Sequence, residues 1–227
     1  MFVLIKQIMP QLFEGTLVTL QLTGTAISLG FAMGIFLALG RLYGKGPLKA
    51  FCKGYIEFFR GTPLLVQLFI VYYGLPRYGI RVSSTLAAFL GLGLNSAAYQ
   101  AEYFRGAIQS IPEGQMMAAR AIGMTKFQAI FNIILPQALR LSIPPWSNEY
   151  SSVLKDTSLA YAVGVIELVR EGRYIIVRTF EPMLVYITIA LIYFILTYTG
   201  NKILSFLEKK LEVPGYELKL KEVKDVG

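Results

Sequence analysis

The 227-residue chain carries 22 Lys and Arg against 14 Asp and Glu, for a net charge of +8, yet only 16% of its residues are charged and 55% are hydrophobic. Its mean hydropathy is +0.54, whereas a soluble domain of this size carries nearer about a quarter charged residues. With no histidine and a single cysteine, Cys52, a His/Cys metal centre, a Ser-His triad and a disulfide framework are all excluded.

In chain order, residues 1–10 read as a short amphipathic lead ending at Pro10. It has too little length and the wrong flanks for a cleaved signal peptide. Uncharged windows follow between Glu14 and Arg41, Arg60 and Arg77, Arg81 and Glu102, and Glu181 and Lys202. The first, third and last are long enough to span hydrocarbon at about 1.5 Å per residue. The second extends backward into the apolar approach 51–59, and a fifth span is interrupted by polar residues over about 136–163. The expectation is an all-α integral membrane protein, one transmembrane domain over 1–227. Its five helices are placed at about 12–40, 48–75, 83–109, 136–163 and 182–206. Helix 1 contains Gly30-x-x-x-Gly34, a small-residue face suited to close packing, and Gly61-Thr62-Pro63 marks a bend before helix 2. Cys52 is expected reduced near the inner surface.

Lysine and arginine distribution orients the chain. With the N-terminus outside, the inner segments 41–60, 102–140 and 202–224 hold 15 basic residues and the outer segments hold 7. The net charge is thereby assigned to topology and anionic lipid rather than to nucleic acid. The segment 110–135 falls in the cytoplasm and carries AARAIGMTKFQAIFNIILP at 118–136, too polar to cross a bilayer. Ala118 and Ala119 offer a close approach to backbone, and Gly123 permits two short helices to meet at an angle. Ser110 and Glu113 have capping-box spacing. The segment reads as a docking elbow for a partner, with Met117, Ala118, Ala119, Arg120 and Gly123 as the docking residues and Met116, Met117 and Met124 as adaptable apolar contact. The alternative is an interfacial amphipathic helix.

This elbow resembles the signature loop of ABC-importer membrane subunits, EAA-x3-G-x9-I-x-LP. Ala118-Ala119, Gly123, Ile133 and Leu135-Pro136 fall in register, and Met117 stands where the family has glutamate. FRGTPLLVQ (59–67), AYQAEYFRGAI (98–108), LPQALR (135–140), PPWSNE (144–149) and LKDTSLA (154–160) narrow the resemblance to the polar amino-acid branch, the histidine/arginine/glutamine permease family. That resemblance implies a type I importer permease fold with the elbow as a cytoplasmic coupling helix between helices 3 and 4. It also implies a chain that is not itself an enzyme, working in the cytoplasmic membrane of a prokaryote. The implied partners are two cytoplasmic ATP-binding subunits, an extracytoplasmic amino-acid-binding protein and a second permease copy, most simply as a homodimer. No cofactor is expected on this chain: no G-x-x-x-x-G-K-[ST] loop occurs, so ATP and Mg belong to the partner.

Charges inside the membrane tend to mark substrate routes. Glu149 is placed near mid-depth on helix 4, with Ser152 and then Asp156 on the same side toward the outside. Asn95 and Tyr99 form a stripe on helix 3 that ends at Glu102, and these two with Glu149, Ser152 and Asp156 are the candidate substrate-pathway residues. Glu102 can equally pair with Arg105, and Asp156 can pair with Lys155 or cap a break before Thr157. Trp146 reads as packing. Pro144-Pro145 should disturb helix 4 just before Glu149. The reading is an importer of a polar amino acid by alternating access, with basic ligands favoured. An opine or sulphur-containing amino acid, or a stand-alone channel or secondary carrier, are the alternatives.

Overall fold

The computed structural model describes residues 2–211, and every regular element among them is helical. The charged tail beyond residue 211, which contributes to the basic count used for orientation, lies outside the described residues. The chain runs through α1 (Phe2–Tyr43), α2 (Gly46–Gly61), α3 (Leu64–Phe69), α4 (Ser84–Ser110) and α5 (Glu113–Ala121). It continues through α6 (Lys126–Ala129), α7 (Leu135–Leu141), α8 (Ile143–Asp156), α9 (Leu168–Thr179) and α10 (Pro182–Lys210). By length and apolarity, 4–43 and 182–210 qualify as membrane spans, and the bent pair Gly46–Gly61 and Leu64–Tyr78 is a third only if it crosses as one broken span rather than folding back as a re-entrant loop. The remaining long segments, α4 and α7–α8, carry the polar residues described below.

α1 does not break at Pro10; the proline lies inside the helix. Near a helix end the one lost backbone bond is tolerated when the apolar face on either side is buried, and Ile8 and Leu12 pack with Leu168, Ile175, Val185 and Ile189. Further along, Thr16, Thr23, Thr25 and Ser28 donate their hydroxyls to carbonyls four residues back at 2.7–2.8 Å. That keeps polar groups satisfied in an apolar medium. The Gly30/Gly34 face lies on α4. A Cβ at Gly30 would come within 2.4 Å of Gln100 Nε2, and one at Gly34 within 3.1 Å of the Ala101 amide. The two helices approach this closely because both positions lack side chains.

At 61–63 the chain turns by 108° between α2 and α3. The Gln67 side chain spans the bend, donating to the carbonyls of Phe59 (2.9 Å) and Thr62 (3.0 Å). Leu22 and Ala26 of α1, Leu68, Ala88 and Leu92 of α3–α4, and Val153, Ala160 and Val163 near α8 make the central core. α10 packs on α8 and α9 but leaves Leu191, Phe194, Ile195 and Phe206 exposed, an outward stripe suited to lipid or to a neighbouring subunit.

Three elements differ from the sequence expectation. The helix expected from Pro136 starts at Lys126 and passes through a π-helical turn at Ile130–Ile134, so Pro136 lies inside it, directly after the widened turn. The break falls at Ser142, so Pro144 occupies a first turn, where proline is tolerated. The capping box is at Thr125 and Gln128, not at Ser110 and Glu113. Ser110 still belongs to α4 and donates to Ala107 O at 2.8 Å, while Pro112 precedes α5. Finally, α9 is an ordered helix in what read as an outer connection. It is capped by Glu167 and buries Leu168, Gly172 and Ile175 at helical spacing.

Candidate functional site

A polar chain crosses the interior from α1 through α4 to α8. Gln100 Nε2 donates to the Ile27 carbonyl of α1 (3.1 Å) and to Ser96 Oγ (3.0 Å). Ser96 Oγ in turn donates to Glu149 Oε1 at 2.6 Å, and Trp146 Nε1 donates to Gln100 Oε1 at 2.7 Å. Tyr103 also faces the Glu149 carboxylate. Ser96, Gln100 and Tyr103 recur at intervals of four and three, so one face of α4 supplies every hydroxyl and amide that meets α8 here. Glu149 is 3% exposed, and among the described residues no lysine or arginine forms an ion pair with it. A buried carboxylate held only by neutral donors leaves much of its desolvation cost uncompensated. Such a group is able to take up a cation.

The other candidates lie elsewhere around this network. Asn95 Nδ2 donates to Gln67 Oε1 (3.0 Å) and to Phe59 O (3.2 Å), at the α2–α3 bend. Tyr99 lies under the Arg60 guanidinium, 5.3 Å from its ring centre. Ser152 is exposed, and Asp156 is half-buried at the end of α8, two helical turns and roughly 10 Å beyond Glu149. Glu102 binds Arg105 through two donors, at 2.7 and 3.0 Å. It also pairs with Arg41 of α1, and Arg60 approaches to 3.8 Å. The sequence singled out Glu149 but not Ser96, Gln100 and Tyr103, which the fold places beside it, and it placed Trp146 only as packing. The polar i, i+4, i+7 spacing of the three was the available signal.

The elbow forms a second site. α5 ends at Ala121, and Gly123 adopts φ +89°, a left-handed conformation that a β-branched residue resists. Arg120 Nη1 donates to Met124 O at 2.8 Å and braces the turn. Ala118 is exposed, while Ala119 is buried against the body of the protein. Met117 is 66% exposed, Ile122 76% and Phe127 68%. Ile122 and Phe127 were not singled out from the sequence; on an exposed elbow they add apolar surface of the kind that partners cover.

Comparison with known proteins identifies the family. The sequence profile of the family described as "Binding-protein-dependent transport system inner membrane component" matches residues 30–213. The chain is 38% identical over 208 residues to the Bacillus subtilis "Probable amino-acid permease protein YxeN", covering 90% of this chain and 93% of that one. It is 39% identical over 204 residues to the "L-cystine transport system permease protein TcyB" of the same organism, covering 89% and 87%. A solved structure described as an amino acid ABC transporter with histidines superposes with a TM-score of 0.85 at 38% identity, over 92% of this chain and 98% of that one. A family that depends on a binding protein replaces the stand-alone channel or carrier alternative, and implies an ATPase subunit and a substrate-binding protein as partners. The chain therefore belongs to the binding-protein-dependent inner membrane components, with the type I ABC permease fold, and is a transport component whose ATPase resides in another subunit.

Proposed function

We propose that the chain imports a polar amino acid, basic ones preferentially, across the cytoplasmic membrane of a prokaryote by alternating access. In this reading the N-terminus is outside, the C-terminus is cytoplasmic, and two copies pair with two ATPase subunits that bind the ATP and Mg. The observation that carries the reading is Glu149, a buried carboxylate that accepts from Ser96 and, among the described residues, enters no ion pair. A ligand ammonium or guanidinium would supply the charge that no group among the described residues supplies, and in a low-dielectric site that pairing is strong. Asn95, Tyr99, Ser152 and Asp156 line the route on either side of it. Met117, Ala118, Arg120 and Gly123, with Ile122 and Phe127, receive the ATPase, whereas Ala119, read from the sequence as a docking residue, is buried and seats the elbow on the protein. A second reading, import of a sulphur-containing amino acid, is favoured by the relative named for L-cystine.

The test is the ATPase activity of the complex reconstituted with its partners and screened over the common amino acids. Arginine, lysine or histidine should stimulate most. Stimulation by neutral amino acids alone would remove the basic preference, and uptake without ATP would remove the importer reading. For orientation, Cys52 is replaced and single cysteines are placed at Lys126, Lys210 and Arg77. The first two should react with impermeant reagents only from inside and the third only from outside.

A further inference from the structure

α9 and the 3-10 turn before it, Thr157–Val163, enclose a pocket of 350 Å³ lined by Tyr161, Ala162, Arg170, Arg173, Tyr174 and Val177. Its chemistry is unlike that of any other surface described above, with two guanidiniums, two phenols and no carboxylate in the lining. Arg170 donates to Tyr174 Oη at 3.0 Å and to the Tyr161 carbonyl at 3.4 Å, and Arg173 donates to Tyr161 Oη. Both guanidiniums lie over the Tyr161 ring, at 5.7 and 5.4 Å. Each guanidinium has five donors, and these bonds use two of Arg170's and one of Arg173's. Neither arginine enters an ion pair among the described residues. The neighbouring acids are committed elsewhere: the Glu167 carboxylate is buried and accepts the amides of Val169 and Arg170, and Glu171 accepts from Gln11 of α1.

We propose that this pocket seats an acidic side chain of the extracytoplasmic substrate-binding protein, so that α9 is a docking site on the outer face. The inference rests on the importer reading and its orientation. Stacked, half-exposed arginines with unused donors suit a carboxylate, which they can grip bidentately. Tyr and Arg are also the residues that concentrate energy at protein interfaces. Exposed Val177 and Phe180 supply an apolar rim, with Phe180 held at φ 57° where α9 ends. Gly164, in the turn before α9, sits against both Arg170 and Ser84 at the start of α4. α9 is also pinned: Gln11 bridges Glu171 and Arg178. A partner seated on α9 therefore pushes on α1 directly.

The complex with its ATPase is reconstituted in phosphatidylcholine discs, with and without phosphatidylglycerol, and titrated with the cognate binding protein. The double variant Arg170→Glu, Arg173→Glu should weaken binding-protein affinity by about tenfold or more, flatten its salt dependence, and leave basal ATPase unchanged. In the wild type, addition of the binding protein should slow amide hydrogen exchange over 168–179, a readout that needs no variant to fold. Unchanged affinity, or no exchange protection, overturns the proposal while leaving a stimulated wild-type importer intact. So does an arginine dependence confined to phosphatidylglycerol discs, which would assign the pocket to lipid, or a change in subunit number, which would assign it to the second copy. A wild-type complex that no binding protein stimulates overturns both this inference and the importer reading.

Discussion

Two carboxylates face the same stretch of α4, and their surroundings are opposite. Glu102 is gripped by Arg105 of its own helix and by Arg41 of α1, with Arg60 from the end of α2 nearby. Glu149, reaching in from α8 to Ser96, which is six residues back along α4, accepts from a hydroxyl and among the described residues pairs with no cation. The first arrangement ties three helices together and matches one negative charge with a surplus of fixed positive charge. The second leaves the charge unmatched inside the protein. An acid balanced by fixed groups stabilises one structure, whereas an acid left unbalanced is available to a charge that comes and goes.

The contrast breaks most sharply under Glu149→Gln. Removal of the carboxylate should cut uptake of arginine or lysine by about 100-fold, which corresponds to about 2.7 kcal/mol, while glutamine uptake changes far less. Equal loss for both ligands would make Glu149 a structural group like Glu102. For Glu102→Gln the expectation is reversed. The three arginines lose their shared negative charge and gain an amide donor facing them, stability in detergent should fall by about 2 kcal/mol, and the ratio of arginine to glutamine uptake should stay at the wild-type value. A changed ratio would place Glu102 on the ligand route.

Gly123→Val supplies a reference outside both acids. A β-branched residue at φ +89° distorts the elbow, so transport of every ligand should fall by about tenfold or more while insertion and subunit pairing persist. Normal ATP-driven uptake would dismiss the elbow as the coupling element. The smallest effect is expected from Arg60→Ala. Arg60 is the most exposed and most distant of the three partners of Glu102, so its loss should cost under about 1 kcal/mol. A cost as large as that of Glu102→Gln would mean that Arg60 anchors the α2–α3 bend as well as the ion cluster.

Much of this protein was legible in its residues taken one after another. The all-helical membrane class follows from hydropathy and charge, which are summed along the chain. The bend at 61–63 and the elbow at Gly123 follow from backbone restrictions that act within a few residues. Glu149 stood out because an isolated acid in an apolar run is conspicuous without any fold. What only the tertiary structure decided is which side of each helix meets which neighbour. Asn95, Tyr99 and Glu102 formed the visible stripe on α4, yet the stripe one residue on, Ser96, Gln100 and Tyr103, is the one that meets Glu149. A step of one residue turns a helix by about 100°, and nothing local sets that angle. It is set by the contact of Gly30 and Gly34 with Ser96, Gln100 and Ala101. α9 escaped notice for a related reason. Its three buried residues, Leu168, Gly172 and Ile175, sit among exposed arginines, so the segment reads as a polar connection until α1 and α10 supply the apolar surface against which it folds.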